Sequence, residues 1–391
     1  TGQVNATLFP ASGSENVNPD THLVLTFSET PVLGDSGMIR VYDAVTDQVV
    51  DSLDLSIPSG PTESRTYGPE CDYTKVPYDY TRTVVPTNKD TRPGTPSGTA
   101  EPTPPVYQLT IIGGFTDAFH FYPVIVRDSI ATIYLHNNML EYGHTYYVTI
   151  DNGVLNLADG SFQGVTKEDE WTFTTKSDMP ELSDTLIVDA TGKGDFNTVQ
   201  GALDFIPDFN EQQTVILVNP GDYEELVYTR NKWNVKIKGA GMADTKVHYA
   251  NNEVFNPHPL TVKTNEWPGT FPSRRAAFML DNCKDIVIED MTIATDLKGQ
   301  AEGLLINGER IALYRVHIIG SGDALQANGT IYMESCELDG GGDTILGRGS
   351  LFAYKSNFRN GGGPFSWVRN TAGNHGNVFV ECTFSTEDGK Q

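Results

Sequence analysis

The chain has 391 residues, enough for two domains that each bury a hydrophobic core. It carries 51 acidic and 27 basic residues, and the formal charge of -24 argues against a nucleic-acid or anionic-membrane partner. No stretch approaches the roughly 20 consecutive apolar residues of a membrane-spanning helix. The histidines and cysteines have none of the spacings typical of metal sites, so we expect no metal.

Residues 1–177 predict a small antiparallel β-sandwich. Short alternating strands are separated by turn residues, and no helical pattern of apolar positions is sustained. The predicted strands are 23–27, 38–42, 132–135, 146–150 and 171–175. Residues 58–105 are rich in Pro, Thr, Gly and Ser and are interpreted as a long irregular insertion.

The composition changes after a short polar linker at 177–183, and a second domain is predicted over 184–391. Residues 197–205 form the one convincing amphipathic helix, with Val199, Ala202, Leu203 and Phe205 on one side. A helix in this place predicts a cap over the first, otherwise unpaired strand of the domain.

Strand units recur along the second domain. They are 286–293, 311–318, 331–338, 351–358 and 378–385, and their starts are 25, 20, 20 and 27 residues apart. Repetition at this period, with β-branched and aromatic residues in each unit, is typical of a solenoid. The predicted fold is therefore all-β, a right-handed parallel β-helix after an N-terminal β-sandwich.

Two aspartates follow consecutive strand units at the same offset. Asp323 lies five residues after Ile318, and Asp343 lies five residues after Leu338. Stacked turns are roughly 4.8 Å apart, so the two carboxylates are expected side by side at one corner. Such proximity makes double ionisation costly, raises one pKa, and yields an acid beside a base or nucleophile. A lone aspartate in a turn is more often a cap, but the shared offset favours a catalytic pair.

The second domain resembles the pectin methylesterases. The matching segments occur in the order VDATGKGDFNTVQGALDFIP, ILVNPGDYEELV, VKIKGAGMADTKV, GQAEGL, GSGDAL and GGDTILGRG, and they cover essentially the whole domain. The phrases PASGSENVNPDTHLVLTFSE and EWTFTTK of the first domain resemble the opening and closing strands of bacterial Ig-like domains.

The resemblance implies roles for individual residues. Asp343 matches the nucleophile, Asp323 the general acid/base, and Gln300 a glutamine of the same corner. Two departures stand out, because Gly322 replaces the glutamine that the family uses as an oxyanion donor, and no Leu-Gly-Arg-Pro-Trp segment precedes Gln391. The donor is then Gln300, Gln326, a backbone N–H or water.

Substrate contacts are predicted near the next corner. Trp367 offers a face on which a sugar can stack, and Arg369 offers a cation for a uronate carboxylate. If the natural chain ended at Gln391, Arg348 or Arg369 would be the expected arginine that braces the nucleophile. A buried tryptophan in a glycine-rich turn is often only a packing residue, so both interpretations of Trp367 stay open.

These features together predict an esterase that hydrolyses the galacturonate methyl esters of pectin through an aspartyl acyl-enzyme, without a cofactor. The alternatives are a β-helical pectin glycosidase or lyase and a noncatalytic pectin-binding relative. Calcium-ligand clusters or an extra catalytic carboxylate on these turns would favour the glycosidase or lyase, and the sequence pattern indicates neither. The resemblance implies a secreted bacterial protein, extracellular, periplasmic or at the cell surface. Because a full strand unit is followed by only six residues, we expect the β-helix to continue beyond Gln391.

Overall fold

The computed structural model describes residues 4–60, 107–115, 119–182, 185–256, 274–370 and 372–386. Most of the predicted insertion at 58–105 lies outside these residues. Among the helices of the described residues, none is long and apolar enough to cross a membrane.

The N-terminal unit has two main sheets, and two two-stranded sheets, β4-β12 and β7-β8, accompany them in the described residues. A four-stranded antiparallel sheet has the order β1-β3-β10-β9, and a five-stranded sheet has the order β2-β13-β11-β5-β6, in which only β2 and β13 pair in parallel. The five predicted strands are confirmed to within two residues at each end. The strands are β1 Thr7–Phe9, β2 Ser14–Val17, β3 Leu23–Thr26, β4 Val32–Leu33, β5 Met38–Asp43, β6 Val49–Asp54, β7 Leu109–Thr110, β8 Phe119–His120, β9 Val124–Arg127, β10 Ile130–Ile133, β11 Thr145–Ile150, β12 Leu155–Asn156 and β13 Thr172–Thr175.

The second unit is a stack of parallel strands that climbs one turn at a time, as in a parallel β-helix. Sixteen strands form one sheet, and every pairing within it is parallel. The strands are β14 Thr185–Val188, β15 Thr214–Val218, β16 Gly221–Glu224, β17 Val227–Arg230, β18 Trp233–Lys238, β19 Thr245–Tyr249, β20 Phe278–Thr295, β21 Leu304–Ile319, β22 Leu325–Glu334, β23 Glu337–Gly340, β24 Ile345–Gly347, β25 Ser350–Tyr354, β26 Asn357–Asn360, β27 Ser366–Val368, β28 Asn377–Val380 and β29 Thr383–Thr386.

The predicted repeat is confirmed in register for four units and is wrong by one residue for the fifth. Ile286 pairs with Ile311, Ile311 with Ile331, and Ile331 with Leu351. Leu351, however, pairs with Asn377, so the last unit begins one residue before the predicted Val378. A polar residue occupies a position that is aliphatic in the other turns, and an alignment on hydrophobicity therefore shifted it.

Each predicted unit also contains a corner and is not a single straight strand. The corner residues have positive φ angles of 48 to 59 degrees, a conformation that turns the backbone between two strands. They occupy the same place in successive turns and are Asp290, Arg315, Ser335, Lys355 and Glu381. In the last three turns the strand assignment breaks at this point, between β22 and β23, β25 and β26, and β28 and β29.

One helix closes the first turn. Helix α1 spans Val199–Phe205, and the Thr198 side chain caps its N-terminus by accepting from the Gly201 amide. Val199, Ala202 and Leu203 join the core of the β-helix beside Leu186 and Val188 of β14. The predicted helix is thus confirmed and begins two residues later than expected, and it covers the apolar end of the stack.

The two units share a hydrophobic core. Buried side chains of the N-terminal sheets form one cluster with buried side chains of the β-helix. The β-helix contributes Leu226, Tyr228, Tyr249, Phe255, Ala276, Met279 and Leu305, all at most 8% exposed. Hydrogen bonds cross the same boundary, because Asp20 accepts from the backbone amides of Asn197 and Thr198 at 2.9 to 3.0 Å. The N-terminal unit is therefore packed against the β-helix.

Candidate active site

The structure brings the two predicted aspartates together. Asp323 precedes β22 by two residues, Asp343 precedes β24 by two residues, and Leu325 pairs with Ile345. The two side chains consequently occupy the same place on adjacent turns, at the corner where one turn of the β-helix passes into the next. Asp323 is buried, at 3% exposure, whereas Asp343 is partly exposed. One carboxyl group is thus enclosed by protein and the other is accessible.

A third carboxylate, absent from our sequence prediction, belongs to the same corner. Glu302 precedes β21 by two residues, and Leu304 pairs with Leu325, so Glu302 lies one turn before Asp323. We call Glu302, Asp323 and Asp343 the carboxylate column. The turn between the preceding strand unit and Glu302 is longer than the turns before Asp323 and Asp343. A search at a fixed distance after each unit therefore missed Glu302. Counting two residues back from the first strand residue of each turn would have found all three.

Arg275 bridges two members of the column. Its Nε donates to Glu302 Oε1 at 2.9 Å, and its Nη2 donates to Glu302 Oε1 at 2.6 Å and to Asp323 Oδ2 at 3.1 Å. The Glu302 side chain is fully buried and that of Arg275 is 19% exposed. An arginine in this position can hold two carboxylates on adjacent turns because its planar group donates several hydrogen bonds in fixed directions.

Burial raises the proton affinity of the two aspartates, and neighbouring charges modify it. Burial is the largest cause that raises the pKa of Asp323, the Glu302 charge adds to it and Arg275 opposes both, and the net pKa is about 7. Burial also raises the pKa of Asp343, while Arg369 and Arg275 lower it. Asp323 is therefore a carboxyl group that can both give and take a proton near neutral pH.

Gln300 fills the space that Gly322 leaves open. Gly322 has a φ of +75 degrees, and a Cβ atom on it would lie 2.9 Å from Gln300 Oε1. The Gln300 side chain thus lies against the turn that carries Asp323, at the place of the side chain that glycine lacks. Of the alternative amide donors, Gln326 is 4% exposed, and its Nε2 points at Glu302 Oε1 at a distance of 3.5 Å. Gln326 belongs to the buried side of the corner.

The predicted substrate-contact residues lie on the next turn. Trp367 is on β27, pairs with Leu346 of β24, and is 54% exposed, so its ring is not a buried packing residue. Arg369 donates its backbone N–H to Gly347 O at 2.9 Å, and its positive charge lowers the pKa of Asp343. Arg348 Nη1 donates to Arg369 O at 3.1 Å. Arg369 is therefore the arginine of this pair that acts on Asp343.

A second group of charged side chains lies elsewhere on the β-helix. Ligand atoms of Glu224, His248 and Asp296 lie within 4.8 Å of one another, a spacing that a metal ion could use. However, Arg127 Nη2 donates to Glu224 at 2.6 Å, and the two ring nitrogens of His248 contact Asp296 and Asp222. We call these five residues the histidine cluster. Its carboxylates already have protein cations as partners.

Three comparisons relate this chain to known proteins. Residues 185–360 match the family model described as Pectinesterase. Pectinesterase QRT1 of Arabidopsis thaliana is 31% identical over 170 residues, which cover 41% of this chain and 43% of that protein. Pectinesterase 31 of the same plant is 29% identical over 165 residues, covering 41% of this chain and 51% of that protein. The chain spans about half the length of these curated relatives.

Among solved structures, the pectin methylesterase PemA from Erwinia chrysanthemi matches with 18% identity and a TM-score of 0.43, covering 54% of this chain and 68% of that one. The match to the family model includes both aspartates of the column and ends after β26. Residues 185–360 are therefore similar to the pectinesterase family.

Proposed function

We propose that this protein hydrolyses the methyl esters of galacturonate units in pectin and releases methanol. The observation that carries the proposal is the arrangement of Asp323 and Asp343 on adjacent turns, one buried with a raised pKa of about 7 and one accessible. A protonated acid beside an ionised carboxylate is what a two-step ester hydrolysis needs.

In the first step, a carboxylate oxygen of Asp343 attacks the ester carbonyl carbon. The new C–O bond forms as the carbonyl electrons move onto its oxygen, and these electrons return as the bond to the methoxy group breaks. Asp323 gives its proton to the departing oxygen, so that neutral methanol leaves. The products of this step are methanol, an Asp343–galacturonyl anhydride and an ionised Asp323.

In the second step, Asp323 takes a proton from a water molecule as the water oxygen attacks the anhydride. The anhydride bond breaks, the substrate carboxylic acid forms, and Asp343 leaves as a carboxylate. Atoms and charges balance over the cycle, because one ester and one water give one acid and one methanol. The protein contributes no redox step.

Other residues of the corner have supporting roles in this proposal. Gln300, whose side chain lies in the space beside Gly322, would stabilise the negative charge on the carbonyl oxygen through its amide N–H. Arg369 supports the ionised form of Asp343, and exposed Trp367 offers a stacking face for a sugar ring. Gln326 would support the buried side of the corner through Glu302, and Arg348 would support the outer side through the backbone of Arg369.

The remaining parts of the proposal concern the chain as a whole. The N-terminal unit, an Ig-like sandwich in this proposal, would be accessory to catalysis. The protein would act outside the cytoplasm of a bacterium, where it can reach its polymer. The unit would in addition stabilise the β-helix, because the two share one core.

The extra carboxylate Glu302 does not favour a glycosidase or lyase. Its side chain is fully buried and held by Arg275, so it cannot reach a glycosidic bond. The test is a parallel assay of methanol and of new reducing ends on methylated pectin. We expect methanol without reducing ends. Reducing ends without methanol would support a glycosidase or lyase, and neither product would support a noncatalytic binding protein.

A further inference from the structure

Glu302 of the carboxylate column forms a charge pair with Arg275 that the ester hydrolysis does not use directly. Glu302 and Arg275 lie on the two turns before Asp323, and neither forms a covalent bond in the reaction. We propose that Arg275 and Glu302 are positioning residues that hold Asp323 in place and keep it protonated as the general acid. The inference rests on the proposed esterase function, because one of its tests measures methanol release. The positions of the three side chains do not depend on that function.

The geometry supports positioning. A single nitrogen, Arg275 Nη2, donates to carboxylate oxygens on two adjacent turns, at 2.6 Å to Glu302 and at 3.1 Å to Asp323. Arg275 is itself fixed by a second donor, because its Nε donates to both oxygens of Glu302 at 2.9 and 3.1 Å. The guanidinium therefore cannot rotate without breaking bonds to a fully buried partner, and the rotamer of Asp323 is constrained with it.

The charges support the second part of the proposal. Arg275 alone would stabilise the ionised form of Asp323, which is the wrong form for giving a proton to methanol. Glu302 cancels the charge of Arg275, and the group of three side chains is neutral only while Asp323 carries its proton. In a buried site an uncompensated charge is costly, so the neutral arrangement is favoured.

The other charged groups around Asp323 do not replace Glu302 in this role. Asp343 faces Asp323 from the following turn and favours its protonated form, but less than Glu302 does. Arg369 acts on Asp343, and Glu253 acts on Arg275. Glu302 is the neighbouring acidic group that acts most strongly on Asp323.

Two substitutions with opposite effects test the proposal. Glu302→Gln keeps the shape of the side chain but leaves the Arg275 charge uncompensated beside Asp323. The pH above which kcat for methanol release declines should therefore fall by at least about one unit. Arg275→Gln leaves Glu302 and Asp323 facing each other without a cation, so the same decline should move to higher pH. Either variant alone suffices if the other fails to fold.

Two further variants serve as controls. Glu302→Asp preserves the charge and should retain the wild-type pH profile even if its shorter side chain lowers kcat. Asp281→Asn breaks a comparable pair, because Asp281 is fully buried and accepts from Arg230 Nη2 at 2.8 Å. It should cost stability without moving the pH profile. An equal shift in Asp281→Asn, or a Glu302→Gln profile that superimposes on wild type, would overturn the proposal.

Infrared titration of the Asp323 carboxyl, assigned by its absence in Asp323→Asn, provides a readout that does not depend on turnover. Its midpoint should fall in Glu302→Gln and rise in Arg275→Gln. If the wild-type protein releases no methanol, the esterase function fails, and the titration still decides whether Glu302 and Arg275 control Asp323. An unchanged midpoint in both variants would refute the positioning role even in an active enzyme.

Discussion

The carboxylate column, taken together with its two nearby arginines, has as many acidic and basic groups as the histidine cluster but binds protons differently. The column has three carboxylates, Glu302, Asp323 and Asp343, with two nearby arginines, Arg275 and Arg369. The histidine cluster has Asp222, Glu224 and Asp296, with Arg127 and His248 as its cations. Charge counting alone would make both of them candidate sites.

The difference lies in which groups are buried and how the cations are shared. In the column, burial and the Glu302 charge raise the pKa of Asp323 to about 7, although Arg275, which also pairs with Glu302, opposes both. In the histidine cluster, the hydrogen bond from His248 lowers the pKa of Asp222, which is 70% exposed. The column thus holds a proton that it can transfer, whereas the cluster holds ion pairs that stabilise the fold.

The largest expected effects come from substituting the two aspartates of the column. Asp343→Asn should abolish methanol release because a carboxamide cannot act as the nucleophile. Asp323→Asn should reduce kcat by roughly 10²- to 10⁴-fold because the transferable proton is lost. Both are measured as methanol released from methylated pectin, with folding checked by circular dichroism.

The matched control for this comparison is Asp285→Asn. Asp285 is an exposed aspartate of the same β-helix that pairs with Arg310 at 2.7 Å, and its loss should leave methanol release within about twofold of wild type. Near-normal turnover by a folded Asp343→Asn protein would refute the assignment of the nucleophile.

Removing the N-terminal unit should have the next largest effect, on folding. Deletion of residues 1–176 removes Arg127 from the histidine cluster and uncovers seven buried side chains of the β-helix. Each large apolar side chain contributes about 1.5–3 kcal/mol when buried, and the sum approaches the whole stability of a typical domain. We expect the remaining chain to aggregate or to unfold at a much lower denaturant concentration.

Adding residues 1–176 back as a separate polypeptide during refolding provides the control. Recovery of a soluble complex with wild-type methanol release would indicate that the N-terminal unit acts through packing. A truncated protein that keeps wild-type stability would show that the shared core contributes little, and the two units would then be energetically separate.

The smallest expected effect concerns the histidine cluster. Burial by itself lowers the pKa of His248, but hydrogen bonds to Asp222 and Asp296 outweigh it and raise the pKa from 6.5 to about 9. The folded state therefore binds this proton more tightly than the unfolded state does. The resulting stability is fully present below pH 6.5 and is lost as the pH rises through 9.

We expect His248→Gln to lower the free energy of unfolding by about 1–3 kcal/mol at pH 6, after allowance for solvent screening, and the difference from wild type to vanish above pH 9. Urea unfolding at several pH values measures it. His375→Gln, at an exposed histidine, should change stability by less than about 0.5 kcal/mol. A pH-independent loss in His248→Gln would indicate a packing defect and not a broken ion pair.

The sequence by itself determined the periodic parts of the molecule. The stacking of Ile286, Ile311, Ile331 and Leu351 follows from a repeat of apolar strands, which pair in parallel because each turn can bury its face only against the next. The same periodicity placed Asp323 and Asp343 on one corner, since their offset from the strand is constant. The capping helix was also predictable, because its apolar spacing is local.

Only the tertiary structure decided what surrounds the two aspartates. Arg275 is 27 residues from Glu302 and 48 from Asp323, and the turns between them differ in length, so no constant forward offset links the three. Gln300 occupies the space beside Gly322, and the two units share one core. Both features likewise depend on how segments distant in sequence pack together. Strand pairing repeats with the sequence, whereas side-chain partners at corners are set by three-dimensional proximity and burial, which a single sequence does not record.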